Sequence, residues 1–198
     1  MLYTQTVAPE TLELLKRLES EPFMDSFSLA GGTALALYLG HRVSVDLDLF
    51  TPESFDEKQL EFSLRHKYGF QTKFTAQHTL KGTIGGVKID CIAHRYKSLR
   101  PPHMESGLRL YDMEDIIAMK LAAISDDGSR LKDFIDMAFL STRFSLDSML
   151  RCFERKFPFS NVLGPVKGLL YFDDINFGEK VFICLLYTSP SPRDKRQS

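Results

Sequence analysis

The chain has 198 residues, with 25 Lys+Arg against 26 Asp+Glu, 43% apolar residues, three Cys and no Trp, a balance that excludes a uniformly basic nucleic-acid binder but leaves room for a local basic patch. A chain of this length buries roughly 70% of its unfolded surface, so one soluble globular domain, or one with a small appendage, holds a core without disulfides or structural metal. Three Cys cannot all pair, no apolar run reaches the ~20 residues of a membrane span, and the first nine residues lack the basic and apolar stretches of a leader, which points to a reduced, cytoplasmic protein.

In chain order, Pro9 followed by Leu12, Leu15 and Leu18 at helical spacing predicts a helix ending near Ser20. Residues 27–30 form a short apolar strand running into Gly31-Gly32, and the breaker-free residues 33–39 predict a helix directly after the glycines. Next, Arg42, Ser44, Asp46 and Asp48 alternate with Val43, Val45, Leu47 and Leu49, the period of a strand with one polar and one apolar face. Ser54 with Glu57 matches a capping box and opens a helix reaching about Tyr68. Residues 71–75, 78–84 and 87–93 read as strands, the last two joined as a hairpin through Gly85-Gly86. Residues 96–103 read as a loop through Pro101-Pro102. Asp112 N-caps a helix with Ile116, Ile117, Lys120, Leu121 and Ile124 on one face. A second helix runs from about Arg130 to Leu140, Ser145 caps a third, and residues 166–172 form a fourth. The outline is a mixed sheet with helices in the first half and a helical region in the second.

The carboxylates carry the chemistry. Side chains two apart on a strand point the same way, so Asp46 and Asp48 share a face about 7 Å apart. Hard divalent cations combine one or two carboxylates with substrate phosphates, which makes Asp-x-Asp a natural half-site; the alternative is that both acids simply meet water. Asp is depleted in strands, and two on one face beside Ser44 and Arg42 is an unusual choice for solvation alone. Asp90 lies on the face of its strand opposite Val87, Ile89 and Cys91. Alone it reads as a strand-end residue; beside the Asp46/Asp48 strand it completes a cluster able to hold two cations ~4 Å apart for an in-line phosphoryl displacement.

Gly31-Gly32 makes either a tight turn or a phosphate cradle at a helix N-terminus, with Thr33 either capping the helix or bonding the phosphate. Lys120 falls on the apolar side of its helix, where it either snorkels to water or, beside acids, contacts a triphosphate or assists proton transfer. Asp133 and Asp136, at i and i+3, orient Lys120, activate an acceptor hydroxyl or are solvated. The five His show no ligand spacing with Cys91 or Cys152, which argues against zinc. Arg95, Lys97 and Arg100 around Tyr96 are either a solvated loop or a contact for RNA or a nucleotide.

The run Leu29-Ala30-Gly31-Gly32-Thr33, followed by Arg42-x-Ser44-x-Asp46-x-Asp48, resembles the signature of the polymerase-β-like nucleotidyltransferases and more particularly of their AbiEii/AbiGii toxin branch. The resemblance spans about residues 27–172. Downstream, Lys120, Asp133 and Asp136 are similar to that family's helical Lys and Arg-Asp-x-x-Asp step, although Lys132 stands where Arg is usual and lacks its bidentate fork. The resemblance implies an α/β fold, with a nucleotidyltransferase core of mixed sheet over residues 1–111 and a helical region over 112–183 completing the site. It implies Mg²⁺ on Asp46, Asp48 and Asp90. The implied catalytic residues are Asp46, Asp48, Asp90, Lys120 and Asp133, and the implied nucleotide contacts are Gly31, Gly32, Thr33, Arg42, Ser44 and Lys120. The implied reaction is attack of an acceptor hydroxyl, on tRNA or other RNA or on a nucleotide, at the α-phosphate of a nucleoside triphosphate. The implied role is the toxin of a bacterial toxin–antitoxin or abortive-infection system with a cognate antitoxin and no membrane partner. Two other readings are a non-catalytic module that binds nucleotide or a partner on the same fold, and a metal-dependent phosphohydrolase using water as acceptor. The stretch from Cys184 onward resembles a translated sequencing-library adapter, so residues 184–198 are expected to be a non-native tail, with the natural chain continuing past Ile183.

Overall fold

The computed structural model describes residues 1–184. Apart from Cys184, whose backbone N–H donates to the His41 carbonyl at 2.8 Å, the expected foreign tail lies outside the described residues.

Helix α1 (Pro9–Glu19) opens on a proline whose missing N–H has no intrahelical partner to lose, and it buries Leu15 and Leu18. Strand β1 (Ser28–Leu29) leads directly into α2 (Gly31–Leu39), an Ala/Leu-rich helix buried on nearly every side, as its composition requires. There follow β2 (Leu47–Thr51), α3 (Glu57–Tyr68), β3 (Gln71–Ala76), β4 (Thr79–Ile84), β5 (Val87–Ala93), β6 (His103–Glu105) and β7 (Leu108–Leu110). Four helices complete the described chain: α4 (Met113–Asp126), α5 (Leu131–Leu140), α6 (Leu146–Lys156) and α7 (Leu163–Leu170). The strands form one mixed sheet in the order β3-β4-β5-β2-β1-β7-β6. Strand β2 is central, parallel to β5 on one side and antiparallel to β1 on the other. Its Leu47 and Leu49, with Leu29, Ile89 and Cys91 of its neighbours, are fully buried in a core shared with Ile116, Ile117 and Leu121 of α4.

The expected α/β architecture is present, with differences in detail that have local causes. The alternating segment 42–49 is a regular strand only from Leu47; before it, Ser44 and Arg42 make isolated bridges to Val7 and Ile183. Within 42–45 the expected faces are exchanged. Arg42 and Ser44 are buried, while Val43 and Val45 are exposed, because the polar side chains find partners inside the molecule. The cap of α3 is Asp56, which accepts from the N–H groups of Lys58 and Gln59, rather than Ser54; Glu57 turns away to accept from His78 N–H. The loop expected over 96–103 ends in the β6–β7 hairpin, whose three-residue strands are too short to show an alternation. Helix α7 begins three residues before Val166 and stops at Leu170.

Candidate active site

Strands β2 and β5 run parallel with Asp48 directly opposite Asp90, so the two acids of different sequence motifs stand side by side on the sheet. Asp90 is 4% exposed. Its Oδ2 faces Lys88 Nζ at 3.2 Å and Lys81 Nζ at 3.3 Å, while its Oδ1 has no hydrogen-bond partner among the described residues. A buried, unpaired carboxylate oxygen is costly, so this atom is placed for a cation or a proton donor that arrives with substrate. Burial pushes the Asp48 carboxyl up; Lys120 and Lys88 oppose the rise and the neighbouring Asp90 and Asp46 reinforce it. Asp46 sits one residue before β2 and is half-buried.

The start of α2 is fitted against these acids. Gly31 has φ +63°, and a Cβ there would collide with the Asp48 carboxylate. A Cβ on Gly32 would collide with the Arg42 guanidinium. The glycines thus let a helix N-terminus, with its unsatisfied N–H groups, come into contact with both a carboxylate and a cation. Thr33 does not cap the helix. Its hydroxyl pairs with Ser44 Oγ at 2.8 Å and donates to the Asp46 carbonyl, tying α2 to the segment that presents Asp46.

Behind the acids lies a buried polar layer from the helical region. Asp136, with no exposed surface, accepts from Arg42 Nε at 2.7 Å and Nη2 at 3.0 Å, and pairs with His41 Nε2 at 2.7 Å. Lys120 Nζ bridges Asp136 at 2.6 Å and Asp133 at 2.7 Å, and Arg130 meets Asp133 from the other side at 2.5 Å. Burial works against both charges, but Lys120, His41 and Arg42 together hold the Asp136 carboxyl far below the ordinary carboxylate range. Burial alone would lower Lys120; Asp136 and Asp133 outweigh it and raise its pKa. Lys120 is therefore a fixed cation, which favours charge neutralisation over proton transfer among the roles expected of it. Lys132, the departure from the expected Arg, pairs with Glu179 at 3.0 Å.

Two clefts open on these groups. One, of about 340 Å³, is lined by Gly32, Asp46 and Asp48 and by the cations Arg42, Lys132 and Lys180. The other, of about 240 Å³, holds Gly31, Asp90 and Lys81 against Phe50, Ile92 and Ile116. Asp48, Lys88, Lys120 and Arg130 line both, so the acids lie at the junction of two clefts in each of which cations outnumber acids. Among the described residues no three His, Cys, Asp or Glu side chains close into a metal cage. The donor set of Asp46, Asp48 and the open Oδ1 of Asp90 instead suits a hard cation that takes its remaining ligands from phosphate and water. Sequence reasoning singled out Asp46, Asp48, Asp90 and Lys120, and missed Lys81, Lys88, Arg130 and His41. Of these, His41 adjoins the motif residue Arg42, and Lys88 lies two residues before Asp90 on the same strand face; both positions were visible in the sequence.

Comparison with known proteins bears on the family and the fold. The family model for the nucleotidyl transferase AbiEii toxin of type IV toxin–antitoxin systems matches residues 13–100 and 57–183. An uncharacterized protein of Aquifex aeolicus strain VF5 is 34% identical over 178 residues, covering 83% of this chain and 82% of the relative. The solved structure of the antibiotic-resistance factor ANT(2'')-Ia superposes with a TM-score of 0.54 at 16% identity, over 77% of this chain and 91% of that one. An antigenic nucleotidyltransferase-like protein from Paracoccidioides brasiliensis gives 0.53 at 16% identity, over 83% and 89%. At these identities the structures show the fold; the family match spans nearly all of the described chain, and the protein belongs to the AbiEii family of nucleotidyltransferases.

Proposed function

We propose that the chain transfers a nucleoside monophosphate from a nucleoside triphosphate to an acceptor hydroxyl in a Mg²⁺-dependent reaction. The observation that carries this is Asp48 opposite Asp90, with an Asp90 oxygen unpaired among the described residues, where two cation-lined clefts meet. Asp46 and Asp48 hold the cation, with Asp90 Oδ1 free to join them. When bound, Mg²⁺ supplies positive charge to the phosphate oxygens at which negative charge builds up. The N–H groups of Gly32 and Thr33 at the start of α2, with Arg42, Lys132 and Lys180, receive the triphosphate. Lys120 and Arg130, at the junction, neutralise charge on the α-phosphate and on the departing pyrophosphate. In the second cleft Asp90 takes the proton of the acceptor hydroxyl as the hydroxyl oxygen attacks phosphorus, and the bond to pyrophosphate breaks. Asp133 positions Lys120 and Arg130, and Thr33 and Ser44 position Asp46. In the cell the same transfer, directed at RNA or a nucleotide, makes the chain the toxin of an antitoxin-controlled pair, the role that the family's description names.

Asp48→Asn tests the reading. It keeps the shape while removing the charge that repels Asp46 and Asp90, so without metal the variant is expected to melt no lower than the parent. Saturating Mg²⁺ and triphosphate at a hundredfold excess over Kd should stabilise the parent by about 2.7 kcal/mol and the variant by far less, with transfer of labelled nucleotide to RNA lost. A parent that neither binds any of the four triphosphates in a metal-dependent way nor labels an acceptor overturns the proposal.

A further inference from the structure

The cleft that holds Asp46 and Lys132 is walled on one side by a segment that follows the last helix: residues 179–182 all line it. The segment leaves the helical region at Ile175, which is buried, and Asn176 N–H donates to the Ser129 carbonyl at 2.9 Å. Past the cleft it is fastened again. Val43 N–H donates to the Phe182 carbonyl at 2.8 Å, Cys184 N–H donates to the His41 carbonyl at 2.8 Å, and Ile183 bridges Arg42 in antiparallel register. Between these fastenings Phe177 and Phe182 are each 70% exposed, so apolar burial does not set its course. The segment is a strap, tied at one end to the turn before α5 and at the other to the residues before β2.

Asp46, Asp48, Asp133 and Glu179 are the carboxylates that line this cleft. Asp46 and Asp48 are the acids assigned to the cation, and Asp133 is held between Lys120 and Arg130. Glu179, on the strap, belongs to neither group. Its Oε1 lies 3.0 Å from Lys132 Nζ, and both side chains are partly open to solvent, at 26% and 36% exposed. Its field also reaches Arg42: burial opposes that cation, and Asp136, Asp133 and Glu179 hold its pKa up. The strap thus sets an anion against a cation that the proposed reaction assigns to the triphosphate. A pair this open to water adds little to stability, and the backbone bonds at both ends already fasten the strap.

We infer that Glu179 is a built-in competitor for the phosphate tail: it pairs with Lys132 until a polyphosphate takes its place, and so lowers the affinity of the cleft for that ligand. The inference rests on the reading that this cleft receives the triphosphate. A phosphate oxygen reaching Lys132 must displace the carboxylate from it, and until the carboxylate moves away the two anions repel each other. The pair has one other role open to it, that of a latch which keeps the strap, and Lys180 with it, against the cleft. The two roles differ in sign. Removing a competitor frees a cation and tightens binding, whereas removing a latch loosens one wall of the cleft and weakens it.

Calorimetric titration in Mg²⁺ with inorganic tripolyphosphate, and with each of the four nucleoside triphosphates, reads that sign. Glu179→Gln keeps the length of the side chain and removes its charge. The variant is expected to melt with the parent and to bind tripolyphosphate about threefold to fivefold more tightly, the effect of one partly exposed ion pair. The gain should shrink as ionic strength is raised, since the competition is between charges open to solvent. It should also disappear when Glu179→Gln is made in a Lys132→Gln background. Equal or weaker binding by Glu179→Gln, beside a parent that binds, overturns the competitor and leaves the transfer reading intact. A gain of the same size without Lys132 overturns it as well, because exchange at that lysine would not be the cause. If neither the parent nor Glu179→Gln binds tripolyphosphate or any nucleoside triphosphate, the transfer reading falls and the competitor falls with it.

Discussion

Lys120 and Asp90 show how one neighbour decides what an ionisable residue can do. The lysine has two carboxylates within 2.7 Å and stays charged; the aspartate keeps one oxygen unpaired among the described residues and can accept a cation or a proton. Glu19 illustrates the same competition away from the site. Its Oε2 accepts from Arg109 N–H at 2.8 Å, its Oε1 is buried without a partner among the described residues, and burial raises its pKa from 4.5 to about 7. Because the folded chain binds this proton more tightly than the unfolded chain does, the neutral acid is compatible with the fold and the anion opposes it. Stability should be fullest below pH 4.5, decline between 4.5 and 7, and stay low above. Glu19→Gln retains an acceptor for Arg109 and should remove that decline, with a gain on the order of 2 kcal/mol at pH 8, or roughly 4–8 °C in Tm. An unchanged melting curve across pH 4–8 would refute it. Residues such as Asp48 were legible in the sequence because strand parity alone sets the face they share. The partnership of Arg42 with Asp136 was not, since no local spacing rule connects side chains that are 94 positions apart.

At the scale of elements, α2 and β2 carry the proposed site, and at Gly31 the helix comes up against the Asp48 side chain. Both components of its role can be separated by substitution. Gly107, at φ +79° with open space around it, suffers only backbone strain when replaced by Ala, a loss of about 1–3 kcal/mol. Gly31→Ala carries the same strain and in addition drives a methyl group into the Asp48 carboxylate. Calorimetric titration with Mg²⁺ and a nucleoside triphosphate is therefore expected to show binding lost in Gly31→Ala and preserved in Gly107→Ala, with both less stable than the parent. Equal binding by the two variants would mean that the close approach of α2 to Asp48 has no part in the site. The elements were mostly legible because helical and strand periods differ and because Pro9, Asp112 and Ser145 mark helix starts. The segment before β2 misled for a physical reason. Alternation shows that a backbone is extended, but not whether strands flank it or which side faces the interior, and here α5 supplies the acid that draws Arg42 inward.

Across the whole molecule, Asp136 joins the sheet-forming half to the helical half. Arg42 and His41 precede β2, Lys120 lies on α4 and Asp136 on α5, and all of these side chains are nearly or fully buried. A buried ion pair of this kind adds little when compared with well-packed apolar residues, but removing one charge leaves the others buried and uncompensated, typically at a cost of about 3–5 kcal/mol. Asp136→Asn should thus lower Tm by roughly 6–20 °C. The acid limb of the stability curve supplies a second readout. Since the folded chain holds the Asp136 carboxyl well below its ordinary 3.8, the contribution of this residue is complete above that pH and is lost as pH falls below it. The parent should therefore destabilise steeply below about pH 4, and Asp136→Asn should show a flatter limb because it has no such proton to take up. If only the catalytic step depended on this layer, the variant would melt with the parent and lose transfer alone. A fall in Tm together with a flattened acid limb would instead identify Asp136 as the group through which the helical half holds Arg42 and Lys120 in register with the acids of the sheet.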